Sequence, residues 1–137
     1  MVAPIHINNV GPNQTHMEIR VVNLEEKSAL ICELHKYKLI AELNDIQFKL
    51  VKAKREFVWH RHEETDEMFF VVEGEMQLAF RDQIFNLKKG ELIVVPKSVE
   101  HKPICATECT VMLVEPKGTL NTGTTGGALT DTELEWI

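Results

Sequence analysis

From Tyr37 to Glu115 the apolar positions recur with a period of two. "KLIAEL", then Asn44-Asp45, then "IQFKLV" reads as a hairpin, because Asn and Asp tolerate the positive φ of a two-residue hairpin turn. "EFVWHRH", "EMFFVV", "EMQLAF", "QIFNL", "ELIVVP" and "CTVMLVEP" follow as short strands, separated by turn signals at Gly74, Arg81-Asp82, Lys89-Gly90 and Pro96-Lys97-Ser98. Strands this short and evenly spaced predict an all-β sandwich or barrel over residues 37–115. Ahead of them, "NLEEKSALICEL" predicts one helix over 23–34. Asn23 serves as its cap, Glu26 stands three residues on, and Leu24, Ile31 and Leu34 share a face. Residues 1–22 hold Pro4, Gly11 and Pro12 without a clear period, and read as an irregular arm with one extended piece near "MEIRVV".

After Glu115 the pattern loosens into "PKGTLNTGTTGGALTDTELEWI". Four glycines fall between Gly118 and Gly127, but no strand precedes them and no Lys-Ser/Thr pair follows, so a surface loop is expected rather than a phosphate loop. Thr130 and Glu133 have capping-box spacing, and Leu134, Trp136 and Ile137 are too apolar to stand in water. The tail, 116–137, is expected to dock on the barrel or on a second subunit.

Composition narrows the function classes. The 137 residues suit a single domain with its own core, and 44% hydrophobic with 26% charged residues is the balance of a globular chain. A net charge of −6 opposes a phosphate backbone, so no nucleic-acid partner is expected. The first residues lack a basic segment followed by an apolar stretch, and no apolar run approaches the roughly 20 residues of a spanning helix; a cytoplasmic protein without a membrane partner is expected. Cys32, Cys105 and Cys109 are odd in number and lack C-x-x-C spacing, which predicts buried, reduced thiols.

The chemistry concentrates in "VWHRHEETDEMFFVVEGE". On a strand, His60 and His62 point to the same face, and Glu67 follows after a gap that fits a tight turn into the next strand. Imidazole nitrogen and carboxylate oxygen suit zinc, iron, manganese, nickel or copper, and three such ligands leave positions open. "GELIVVPKSVEHKP" offers His101 as a fourth ligand from a neighbouring strand. Each histidine alone is an ordinary polar residue at a strand end; it is the set that has metal-ligand chemistry. His6, His16 and His35 belong to no such set, and Glu63, Glu64 and Asp66 read as solvated turn charges. Lys52 shares parity with Ile46, Phe48 and Leu50, so it either turns toward the barrel mouth or lays its stem over apolar surface. Phe69 and Val71 share parity with Glu67, and Met76, Leu78 and Phe80 alternate on the next strand. A largely apolar pocket including Phe69, Leu78 and Phe80 is therefore expected beside the metal, sized for a small molecule.

His60-x-His62, four residues, Glu67, six residues, Gly74 resembles the first cupin motif; Gly90, five residues, Pro96 and then His101 resembles the second. The chain departs from those motifs around Lys54 and at Ser98, where glycine is usual, and at Cys105, where the second motif often ends in asparagine. The resemblance covers most of residues 23–137 and is nearest to small single-domain cupins of the mannose-6-phosphate-isomerase-like group. It implies a double-stranded β-helix, or jelly-roll barrel, holding one divalent transition metal through His60, His62, Glu67 and His101. It also implies oxygenase or sugar-isomerase chemistry on a small molecule; the alternative is a non-catalytic binding or sensing module using the same metal. A homodimer is expected, because the helix and the apolar carboxyl end supply surface that symmetric pairing would cover.

Overall fold

A computed structural model describes residues 6–7 and 17–137. The elements in chain order are β1 (His6–Ile7), β2 (Met17–Glu18), α1 (Leu24–Ala29), β3 (Lys38–Leu43), β4 (Ile46–Glu56), β5 (Glu67–Glu73), β6 (Glu75–Ala79), β7 (Ile84–Lys88), β8 (Leu92–Val95), β9 (Lys102–Pro116) and β10 (Glu135–Trp136). The fold is all-β with one short helix, of the jelly-roll class expected from the sequence, and the sheet does not close into a continuous barrel. Its hydrogen-bonded order is β10-β3-β4-β9-β5-β8, and β6 branches from β9 to pair with β7. Most of residues 1–16, including His16, lie outside the described residues; Met17–Glu18 is the extended piece expected near "MEIRVV" and pairs with β1.

The 15-residue β9 organises the sheet. Its second half pairs with β5 and its start pairs with β6, while β4 runs along nearly its whole length. Between these halves the register jumps from Ala53 opposite Cys109 to Arg55 opposite Cys105, so residues 106–108 bulge out. This bulge overturns the expectation of reduced thiols. On a straight strand, residues four apart lie roughly 13 Å from one another, but here the Cα atoms of Cys105 and Cys109 are 6.3 Å apart and a disulfide joins them. Cys32 is free and exposed, not buried.

The interior is built from one face of each strand. Val51, Phe69, Val71, Met76, Leu78, Leu87, Val95, Val111 and Leu113 pack there with Tyr37. Period two was the right reading of β4, but its polarity differs from the simplest expectation. Ile40 and Leu50 pack with Ile31 on the outer face, against half-buried Phe48, Met112 and Ile137, whereas Gln47 and Lys49 are buried on the other. Lys52 shares the outer face and donates from Nζ to the Ile31 carbonyl at 3.1 Å.

Helix α1 starts where expected, with the Glu26 N–H donating to Asn23 Oδ1 at 2.9 Å. It stops at Ala29 rather than Leu34 because the following backbone bonds to the sheet: His35 N–H donates to the Lys52 carbonyl at 2.8 Å, and His35 adopts φ 59°. Ile31 is buried against the sheet and Leu34 is exposed, so the shared face expected for 24, 31 and 34 does not form.

The glycine-bearing tail is not a detached surface loop. Thr125 Oγ1 donates to the Trp59 carbonyl at 2.8 Å, and a Cβ on Gly123 would collide with the Arg61 carbonyl oxygen, which explains why glycine stands there. No helix follows Thr130. Instead Asp131 is buried, accepting the Tyr37 N–H at Oδ2 (2.9 Å) and the Glu133 N–H at Oδ1 (3.1 Å). Strand β10 then pairs in parallel with β3, Trp136 opposite Leu39, so the tail docks on its own sheet. No helix among the described residues is long and apolar enough to cross a membrane.

Candidate metal centre

His60 and His101 face each other across an isolated antiparallel bridge. The His60 N–H donates to the His101 carbonyl at 3.0 Å and the His101 N–H returns to the His60 carbonyl at 2.9 Å, which sets the two rings 4.3 Å apart. His62 emerges on the same side, its ring 5.2 Å from that of His60. Glu67 opens β5 opposite Val95 and turns inward. All four side chains are buried, and one donor atom from each lies within 4.8 Å of the others.

The hydrogen bonding of this group fits a metal ion. His60 Nδ1 lies 2.9 Å from the Val58 carbonyl and His101 Nδ1 lies 2.8 Å from that of Val99. A carbonyl only accepts, so each Nδ1 carries the proton and each Nε2 presents its lone pair, the form in which imidazole ligates. Nε2 of His60 and of His101 is buried with no hydrogen-bond partner, while His62 Nε2 and Glu67 Oε2 contact each other without hydrogen-bond geometry. Buried polar atoms are seldom left so; four of them around one point are what a cation would satisfy.

Electrostatics agrees with neutral ligands. Burial, with the neighbouring His101, pushes the His60 pKa down to about 4. Burial also lowers that of His101. At His62 burial acts downward as well, but contact with the Glu67 carboxylate and its charge outweigh it and raise the pKa.

A narrow apolar cleft of about 30 Å³ is lined by Phe57, Phe69, Met76 and Cys105 among others, with His35, Tyr37 and Arg55 as its polar members, and none of the four donors lines it. Phe57 stacks edge-on to His60 at 5.4 Å and Phe69 edge-on to His101 at 5.8 Å, so these two rings adjoin both the cleft and the donor group. Of the expected pocket residues, Phe69 lines the cleft, Leu78 is fully buried in the core, and the Phe80 ring lies 6.4 Å from that of His101 without joining the lining. Glu63, Glu64 and Asp66 are exposed as expected. Among the motif departures, Ser98 holds φ 66° and Arg55, beside Lys54, holds φ 70°, so these turns adopt the left-handed backbone that glycine accommodates most readily.

Sequence reasoning missed the polar groups behind the donors. Lys49 and Glu115 are both buried and paired at 3.0 Å. Tyr37, also buried, has its pKa raised by burial and by the charges of Glu67 and Glu115. Lys49 and Tyr37 also border a second cavity of about 180 Å³ under the tail, with Asn121 and Asp131. The available signal was parity: Lys49 alternates with Val51 and Gln47, but nothing local marks that face as the inner one.

Residues 48–115 match the profile of the Cupin domain family (Cupin_2). A cupin-2 domain containing protein from Shewanella frigidimarina NCIMB 400 is 52% identical, with a TM-score of 0.70 over 71% of this chain and 95% of its own. The chain belongs to the cupin superfamily. This cupin is also similar to protein NMB1881 from Neisseria meningitidis, 34% identical at a TM-score of 0.66, covering 72% of this chain and 100% of that one. Bacillus subtilis (strain 168) YdbB is 33% identical over 86 residues, 62% of this chain and 76% of its own.

Proposed function

We propose that this cupin is a metal-dependent enzyme acting on a small molecule, of oxygenase or sugar-isomerase type, with His60, His62, Glu67 and His101 as ligands of one divalent transition ion. The observation that carries the reading is the convergence of four buried donors, otherwise unsatisfied among the described residues. A bound ion would supply Lewis acidity or redox capacity at positions the four residues leave open. The chain's own groups supply the rest. The Val58 and Val99 carbonyls fix the tautomers of His60 and His101, Phe57 and Phe69 keep water from the donors, and Arg55 in the lining suits an anionic end on the substrate.

A binding or sensing module is the second reading, favoured by one observation: among the described residues no carboxylate lines the cleft, whose polar side chains are His35, Tyr37 and Arg55. Elemental analysis of protein purified without an affinity tag, followed by a screen of small sugars, dicarbonyls and phenols with that metal restored, separates the two. Metal-dependent turnover is the expected result. Tight retention of a compound without product would favour the module, and absence of any bound metal would overturn both.

A further inference from the structure

Lys49 and Glu115 form an ion pair whose side chains are 3% and 1% exposed. Replacing a buried pair by apolar residues of similar volume is often neutral or stabilising, so stability alone gives little reason for this one. Its position gives a better reason. Met68 pairs with Val114 at the end of the antiparallel β5–β9 ladder, and Glu67 and Glu115, both buried, are the next residue of each strand beyond that pair. A second carboxylate therefore stands next to a metal ligand, yet it is not among the four groups whose donors converge within 4.8 Å.

The hydrogen bonds show what holds it back. Lys49 Nζ donates to Glu115 Oε1 at 3.0 Å and to the Thr119 carbonyl at 3.2 Å, anchoring the carboxylate toward the tail. Glu115 Oε2 is buried with no partner. Gln47, opposite Glu115 on β4, directs its Nε2 to Glu42 at 3.1 Å and offers Glu115 no donor from it.

We propose that Lys49 is a positioning residue that tethers the Glu115 carboxylate outside the metal's ligand set, so that the open coordination positions remain available to substrate. The inference rests on the four-ligand reading above. It makes Glu115 a ligand in waiting: remove the tether and the carboxylate turns to the nearest strong cation.

Cobalt(II) titration of the chelator-treated protein, followed by visible absorption, tests this because ligand-field bands report the ligand set. Lys49→Met is expected to bind Co²⁺ about a hundredfold more tightly, the order of effect of one charge at roughly 6 Å in an effective dielectric of about 20, and to change the spectrum. Lys49→Met with Glu115→Gln should restore the wild-type spectrum, and Glu115→Gln alone should leave it unaltered. Should circular dichroism show Lys49→Met unfolded, Lys49→Gln, which removes the charge and keeps a donor, takes its place with the same expected spectral change. Folded Lys49 variants with the wild-type spectrum would overturn the inference alone, as would a Glu115→Gln spectrum that differs from wild type. Failure of the wild-type protein to bind Co²⁺ would overturn the four-ligand reading and the inference with it.

Discussion

His60 concentrates the residue-scale chemistry of this site: one ring nitrogen is satisfied by the Val58 carbonyl and the other is left for a ligand. Replacing His60 and His62 together by Ala should abolish stoichiometric metal binding, measured as metal per chain by mass spectrometry; full retention would overturn the assignment. The same residue makes the metal-free protein acid-sensitive. Its pKa lies near 4 in the folded chain against about 6.5 when unfolded, so between those values only the unfolded chain takes up the proton. Stability from this group is therefore present above pH 6.5 and lost as pH falls toward 4. His101, also lowered, acts in the same direction, while Glu115, raised to about 7, acts oppositely because its folded carboxyl is protonated first. His60→Asn isolates the histidine's share: between pH 7 and pH 5 the chelator-treated variant should lose about 2 kcal/mol less stability in urea unfolding than wild type. Equal losses would contradict this account.

At the scale of elements, the tail is joined to the sheet by one side chain in particular. Asp131 accepts the Tyr37 N–H at the entrance to β3, and its own N–H donates to Asn121 Oδ1 at 2.9 Å. Asp131→Ala leaves the Tyr37 N–H buried without a partner, a cost of about 1–3 kcal/mol. Denaturant unfolding should show that loss, and hydrogen exchange should show faster opening of β10 and the end of β3. A variant as stable as wild type would mean that the tail contributes little to the fold. "TDTE" has the spacing of a capping box, but Asp131 is taken up by a strand N–H and Thr130 by Thr122 at 2.6 Å, leaving a bridging segment in place of a helix start.

For the whole molecule, the size of the core decides how much the ion contributes to folding. The interior cluster extends well beyond the four donors, and burial at roughly 25 cal/mol per Å² of apolar surface supports a domain of this length without a metal staple. Chelation should leave the strand spectrum and a cooperative unfolding transition intact, with the midpoint lowered only by the lost binding term. An unfolded chain at 25 °C would recast the metal as structural. The homodimer also remains a proposal: Leu34 after the helix and Trp136 at the carboxyl end stay exposed, and edge strand β8 adds a second apolar face. Ile31 and Ile137 pack on the chain's own sheet, while Leu92 and Val94 of edge strand β8 are 56% and 52% exposed beside half-buried Phe70 and Met68. A second copy covering this face predicts a dimer by light scattering, and Leu92→Lys with Val94→Lys should dissociate it; a wild-type mass of 15.7 kDa at micromolar concentrations would exclude it.

The sequence by itself determined the features that depend on neighbours in the chain: the strands and their turns, the Asn23 cap, and the common direction of His60 and His62. It also determined the jelly-roll class and the identity of the four converging residues, because two spaced motifs carry them. Tertiary structure alone decided which face of β4 is inner, and with it the burial of Lys49 and Gln47, because the segment after α1 and the carboxyl-terminal residue cover the outer face. It decided where α1 stops, since the backbone at His35 bonds to a strand that begins eleven residues later. It brought Cys105 to Cys109 through a bulge set by the register with β4. Glu115 came to stand beside Glu67 for the same kind of reason. Alternation says that a side chain points to one side of its strand, but only the pairing of distant strands says what it meets there.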